Sequence, residues 1–313
     1  MLIAKSLDEI SYDRNSVITV GTFDGVHLGH QKIINELIAR SKSRNGRSIL
    51  ITFDPHPREI AGRGPTKLLT TIEERLHHLS QNEIDIIFII KFTFEFSRLP
   101  YDEFYKNYIH DKIGMSEVIV GYDHMFGRDR EANITQLIDL GKRLGFMVDS
   151  IPPVTVEGVV VSSSRIRDII MRGDVNLAEK YLGRQYSLEG KVVNGDGRGK
   201  SIGFPTANVQ PLSYNKLIPA EGVYFVSVNL EEQKYYGMLN IGSRPTFTAD
   251  TQKIIEVHLF EFEKNIYNKI ITINFHRRIR SEIKFKSKEE LATQLKKDEQ
   301  ECKIYISELN NLK

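Results

Sequence analysis

A change of grammar near residue 183 constrains this chain more than any single motif. Before it, short apolar runs alternate with segments of helical spacing. Residues 17–20 are apolar and break into Gly21-Thr22-Phe23-Asp24-Gly25. Ile33, Ile34, Leu37 and Ile38 then recur at the spacing of one helix face, with Gly46 as a stop. Residues 48–53 and 86–90 are apolar at successive positions, the pattern of strands covered on both faces. Thr71-Ile72-Glu73-Glu74 has the form of a capping box that opens a helix between them. A helix at 102–113, a strand at 117–121, a helix at 134–144 and a strand at 146–151 continue the alternation. Two short helices, 164–171 and 175–182, close it. Such alternation predicts a parallel sheet with helices on its faces, and a ligand site beyond the carboxyl ends of the strands.

After the change, strand follows strand: 187–193, 222–230, 235–241, 254–262 and 269–279. Residues 231–233 fit a hairpin loop, and a charged helix over 288–309 follows. This pattern predicts an antiparallel β-barrel with a C-terminal helix. A length of 313 residues suits two domains, which we expect to divide as 1–184 and 185–313.

Charge and cysteine content narrow the function classes. Lysine plus arginine number 43 and aspartate plus glutamate 41, so a net charge of +2 gives no general attraction for nucleic acid. The basic stretch 276–288 holds Arg277, Arg278, Arg280, Lys284, Lys286 and Lys288, but Glu282, Glu289 and Glu290 offset it and Phe285 is its one aromatic beyond His276. The single Cys302 excludes an internal disulfide framework and a cysteine-rich zinc module, and fits a reducing compartment. No apolar run approaches the ~20 residues of a membrane span. The expectation is a cytoplasmic protein without nucleic-acid or membrane partners. Nothing in the sequence fixes its oligomeric state.

Two stretches carry chemistry. His27 and His30 stand three apart where a strand-ending loop becomes a helix, so both imidazoles fall near free backbone N–H groups that favour an anion. Gly21, Gly25 and Gly29 allow close approach of the backbone to a ligand. The same spacing also suits two solvated histidines, or zinc with Asp24, Asp54 and His56, although zinc-binding helical pairs use an i, i+4 spacing. Ser162-Ser163-Ser164 with Arg165 and Arg167 supply hydroxyls and a guanidinium fork for phosphate, or simply cap a helix.

In the second half, 195–201 (GDGRGKS) suggests a phosphate loop but fails on spacing, since Asn194 stands where the first glycine belongs, and no helix follows. Gly203-Phe204-Pro205-Thr206-Ala207-Asn208 is more informative. Thr206 and Asn208 fall on one face of an extended segment, with hard oxygens suited to Mg²⁺ and phosphate. Ile255-Glu256-Val257-His258-Leu259 alternates, which by itself fits a half-exposed strand.

Residues 22–30 resemble the HxGH signature of the α/β nucleotidyltransferases and, more closely, the adenylyltransferase module of the bacterial bifunctional riboflavin kinase/FAD synthetases. Thr52-Phe53-Asp54-Pro55-His56-Pro57, residues 121–127 and residues 161–167 resemble that family's further motifs in order. Residues 203–208, 222–224, 240–247 and 255–258 resemble its riboflavin kinase module. The resemblance implies a Rossmann-like nucleotidyltransferase domain followed by a kinase barrel. The substrates would be riboflavin, FMN and ATP with Mg²⁺. It implies that His27, His30 and Arg167 act on the phosphates of adenylyl transfer, with Gly21, Thr22, Phe23, Asp24, Gly25, Gly29 and Ser162, Ser163 and Ser164 lining that ATP site. In the kinase, Gly199, Gly203, Pro205, Thr206 and Asn208 would hold ATP, Thr206 and Asn208 the metal, and Glu256 would be the general base. Asp54, His56, Pro57, Asp123, Phe126 and Arg280 would contact flavin.

Overall fold

A computed structural model describes residues 1–313 apart from 61–65, 123–132, 196–198, 200–202, 245–251 and 312–313. The chain divides into two compact units, Met1–Ser163 and Ser164–Lys313.

In the first unit six parallel strands form one sheet. They are β1 (Leu2–Ala4), β2 (Val17–Val20), β3 (Ser48–Asp54), β4 (Ile86–Lys91), β5 (Glu117–Gly121) and β6 (Met147–Ile151), in the order β1-β4-β3-β2-β5-β6. Alternate residues serve the two faces. On one face Ile18, Ile49, Ile51 and Phe88 pack with Phe104, Ile109 and Leu137. On the other, Val17, Leu50, Ile87 and Ile119 pack with Ile34, Leu37 and Leu79. Each such side chain contributes ~1.5–3 kcal/mol by leaving water.

The helices are set by their ends. Thr71 caps Ile72–Ser80 by accepting from the Glu74 N–H, while Glu74 returns a bond to the Thr71 N–H, so the capping box forms as expected. Asn133 and left-handed Gly145 bound Ile134–Leu144. The segment expected as one helix at 102–113 differs. A turn of α-helix, Tyr101–Glu103, gives way to a π-helical stretch, Phe104–His110. That wider winding brings Phe104 and Ile109, five apart, into the same core.

The chain runs from β2 outward through β3 to β4, then crosses to β5 on the other side of β2. The carboxyl ends of β2 and β5 therefore flank a topological switch point, where open α/β sheets bind ligands. The loop leaving β2 enters the helix Leu28–Ser43 at that point. A short hairpin, β7 (Thr155–Val156) and β8 (Val159–Val160), follows the sheet.

The second unit holds a closed antiparallel barrel. Its strands are β9 (Tyr186–Val193), β10 (Ala207–Pro211), β11 (Gly222–Leu230), β12 (Gln233–Arg244), β13 (Gln252–Leu259) and β14 (Ile270–Arg280), in the closed order β10-β13-β12-β11-β14-β9. The helix Lys288–Asn311 covers an apolar patch of Val223, Phe225 and Met238, where Cys302 is buried with its thiol pushed up to about 12 by desolvation. The helices Ser163–Met171 and Val175–Leu182 precede the barrel, and the first is bonded to it through the Ala220 N–H donating to Ile170 O.

Candidate active sites

In the first unit His27 is the N-cap of Leu28–Ser43. Its backbone is extended, and its Nδ1 accepts from the His30 N–H at 3.3 Å. That bond requires a bare Nδ1, so the neutral ring carries its proton on Nε2. The His27 and His30 rings stack with centroids 3.6 Å apart and 16° between planes, and His30 also meets the Phe23 ring at 5.1 Å. Gly29 makes this possible, because a Cβ there would come within 3.1 Å of the His27 ring.

The preceding loop is strained. Phe23 and Val26 have φ of +48° and +38°, conformations that cost non-glycine residues ~1–3 kcal/mol each. Both side chains are buried in the sheet core beside Ile34 and Leu37, which offsets that cost. Asp24 braces the loop from beneath. Its wholly buried carboxylate accepts from the Thr70 N–H at 2.9 Å, the Leu69 N–H at 3.2 Å and the Thr70 hydroxyl at 3.2 Å. Thr70 Oγ1 accepts in turn from the Gly25 N–H at 3.0 Å. Ser163 Oγ donates to Asp24 O at 2.9 Å, and Thr52 Oγ1 donates to Thr22 O at 3.1 Å. With its oxygens turned to these donors, Asp24 serves the loop rather than a zinc ion. Among the described residues no cluster of His, Cys, Asp and Glu could hold a metal.

At the end of β3, Asp54 is exposed and its carbonyl accepts from the Phe92 N–H at 3.0 Å. His56 is buried, with Nδ1 accepting from the Arg58 N–H at 3.2 Å, and Pro57 opens the short helix Pro57–Ile60. Ser162 is half-buried just before the helix that starts at Ser163; on that helix Ser164 is exposed and Arg167 half-buried. Asp123 and Phe126 lie outside the described residues.

In the second unit Asn208 stands opposite Glu256, and Glu256 stands opposite Asn240. Directly paired residues of antiparallel strands share a face, so three polar side chains form a row across β10, β13 and β12. Ile255, Val257 and Leu259 are buried on the other face, while Glu256 and His258 remain half-buried. Two glycines keep room for the row and for Thr206. A Cβ on Gly195 would come within 1.8 Å of Asn208 Nδ2, and one on Gly199 within 2.2 Å of Phe204 O and 3.3 Å of Thr206 Oγ1. Gly203 takes the left-handed φ of +83° that turns the chain into Phe204. His258 Nδ1 donates to Pro205 O at 2.7 Å, and its ring meets Phe204 edge-on at 5.3 Å. The strand that carries Glu256 thereby also fixes the segment that carries Thr206.

Arg280 meets the C-terminal helix. Its Nε donates to both Asp298 oxygens at 3.0 Å and its Nη2 to Oδ2 at 2.8 Å, so it anchors the C-terminal helix to β14. Sequence reasoning gave no role to Asn240, His258, Thr70 or the wholly buried Arg75. For the first two the signal was strand register, which sequence does not reveal. For Arg75 it was a cation on the apolar stripe Ile72, Leu76 and Leu79.

A family model for FAD synthetase matches residues 9–165, and one for riboflavin kinase matches residues 182–306. A bifunctional riboflavin kinase/FMN adenylyltransferase of Buchnera aphidicola subsp. Schizaphis graminum is 37% identical over 298 residues, covering 94% of this chain and 95% of that protein. One of the same description from Bacillus subtilis is 36% identical over 299 residues, covering 94% and 93%. A crystal structure described as a macrolide-efflux protein from Streptococcus pneumoniae superposes with a TM-score of 0.86 at 30% identity, over 96% of this chain and 97% of that one.

Proposed function

The chain belongs to the bifunctional riboflavin kinase/FMN adenylyltransferase family, and from that premise we propose how its residues divide the work. The enzyme phosphorylates riboflavin to FMN with ATP in its C-terminal half and joins FMN to AMP from a second ATP in its N-terminal half, giving FAD and pyrophosphate. We assign residues 185–313 to the first reaction and 1–184 to the second. The observation that carries the residue assignment is the row Asn208, Glu256 and Asn240 beside Thr206.

Riboflavin offers a neutral primary hydroxyl, a weak nucleophile at neutral pH. Glu256 takes its proton as the oxygen attacks the γ-phosphorus of ATP and ADP departs with the β–γ bridging oxygen, a contribution of roughly 10²–10⁴-fold. Thr206 and Asn208 hold the phosphates. Their hydroxyl and amide oxygens are hard donors, and the glycines at 195 and 199 leave space against both. Such donors fit Mg²⁺, which would supply charge neutralisation on the ATP phosphates.

FMN brings a phosphate that is already mostly dianionic at pH 7, since its second pKa is ~6. Its attack on the α-phosphorus needs no base. It needs alignment and stabilisation of the charge on the α-phosphate and the departing pyrophosphate. The His27 Nε2–H, His30 and the Leu28 and Gly29 N–H groups that open Leu28–Ser43 provide donors, with Arg167, Ser163 and Ser164 as further phosphate ligands. Asp54 and His56 at the end of β3 lie on the flavin side. We place the enzyme in the cytoplasm, which suits its substrates and its lone buried thiol.

The test is to incubate the protein with riboflavin, ATP and Mg²⁺ and separate the flavins by chromatography. FMN should rise first and FAD follow, and omission of Mg²⁺ should stop both. FAD made from riboflavin without Mg²⁺, or no FAD from added FMN, would overturn this division.

A further inference from the structure

Arg75 occupies an apolar position of its helix and is only 1% exposed. A buried cation costs several kcal/mol unless its charge is compensated. Burial lowers its hold on its proton, while the carboxylates of Asp24, Asp54 and Glu73 act the other way. Its Nη1 donates to Thr52 Oγ1 at 3.0 Å and to Phe53 O at 3.1 Å. Thr52 Oγ1 passes its own hydrogen to Thr22 O at 3.1 Å. One guanidinium thus reaches the carboxyl end of β3 directly and the loop after β2 through a single hydroxyl. A few residues upstream, Leu69 and Thr70 hold Asp24 in that same loop. The segment 69–75 grips the loop at two points.

We propose that Arg75 is a positioning residue of adenylyl transfer, fixing the separation between the nucleotide side of the site at Thr22 and the flavin side at Phe53 and Asp54. This rests on the adenylyltransferase reading of the first unit. Arg75 is too buried to touch either substrate. Its loss would leave both half-sites able to bind while misaligning the FMN phosphate with the α-phosphorus, so the effect should fall on kcat. A misplacement of ~1 Å can cost about 10²-fold.

The experiment measures kcat and both KM values for FMN adenylylation in the full-length chain, with riboflavin phosphorylation by the same preparation as a control. Arg75→Met should lower kcat by about 10²-fold while the KM values for ATP and FMN stay within about threefold. Arg75→Lys keeps the charge but not the forked geometry, and should recover part of the loss. Thr52→Val removes the hydroxyl while leaving Arg75 its bond to Phe53 O, and should lower kcat in the same direction. The double variant Arg75→Met/Thr52→Val should be little worse than Arg75→Met alone, since both break one path. Riboflavin phosphorylation should not change.

A folded Arg75→Met protein with normal kcat, a change confined to KM, or losses that multiply in the double variant would overturn the proposal. Should Arg75→Met lose the circular dichroism of the first unit, Thr52→Val decides, and a normal kcat there overturns it equally. Unmutated protein that makes FMN but no FAD would instead sink the adenylyltransferase reading, and this proposal with it.

Discussion

The α/β half gathers a helix terminus, two stacked imidazoles and hydroxyl groups; the barrel half gathers a threonine, two amides and a carboxylate along a row of strands. The contrast is sharpest in the carboxylates. Asp24 is buried and engaged by backbone N–H donors, so it shapes a loop. Glu256 is half-buried on the polar face of its strand, with an amide on either side. In the division of work proposed above, the half whose nucleophile arrives ionised uses its acid as a brace, and the half whose nucleophile arrives neutral would present its acid to the substrate. Hydrogen-bonding environment, more than residue type, separates the two roles.

The comparison breaks most readily at Glu256. Glu256→Gln keeps size and hydrogen bonding but removes the proton acceptor, and Ile255 and Val257 still fill the core behind it. Riboflavin phosphorylation should fall by roughly 10²–10⁴-fold, chiefly in kcat, while FAD formation from added FMN keeps its rate. Normal phosphorylation by the variant would make Glu256 an ordinary barrel residue. The converse substitution, His30→Ala, should lower FAD formation by about 10²-fold, the scale for losing one charge-stabilising donor, and leave FMN formation intact. Equal losses in both assays would erase the distinction between the halves.

A smaller effect concerns stability. His276 lies buried in the barrel, with Gln185 Nε2 donating to its Nδ1 at 2.8 Å and its Nε2 donating to Ser227 Oγ at 2.9 Å. Burial, aided by Lys234, lowers its pKa from the ordinary 6.5 to about 4. The unfolded chain therefore binds a proton between these values that the folded barrel refuses. The contribution is fully present above pH ~6.5 and is lost as pH falls toward 4, amounting to roughly 3 kcal/mol. Denaturant unfolding followed through the barrel should weaken over that range, and His276→Gln should flatten the slope. A slope unchanged by the substitution would assign the acid sensitivity elsewhere.

Local signals were legible and long-range ones were not. The strand Glu117–Gly121 and the helices Ile134–Leu144 and Val175–Leu182 lie where apolar patterning predicts, and the structure adds an asparagine cap at 133 and left-handed glycines at 145 and 183 as their stops. The Thr71 capping box and the alternation around Glu256 are equally local. By contrast β10 reads Ala-Asn-Val-Gln-Pro, with too few apolar residues to mark a strand, and closure of the barrel depends on which strands pair. Asn240 becomes a neighbour of Glu256 only through register, and His258 a support for Pro205 only through folding. Arg75 breaks the hydrophobic pattern of its helix, and its reason lies in acceptors 22 and 23 residues earlier.

Closure of the barrel also sets an order of synthesis. β9 pairs with β14 from Tyr186 opposite Phe275 to Lys191 opposite Ile270, so the first barrel strand has no second neighbour until the last is made. The parallel sheet is complete once β6 has emerged, at Ile151. Contacts so distant in sequence form slowly because the intervening chain must first be closed into a loop. A nascent chain thus acquires its adenylyltransferase scaffold long before its kinase scaffold, the reverse of the order in which a riboflavin molecule needs them. A chain interrupted before residue 270 would carry the whole parallel sheet but lack the strand that closes the barrel.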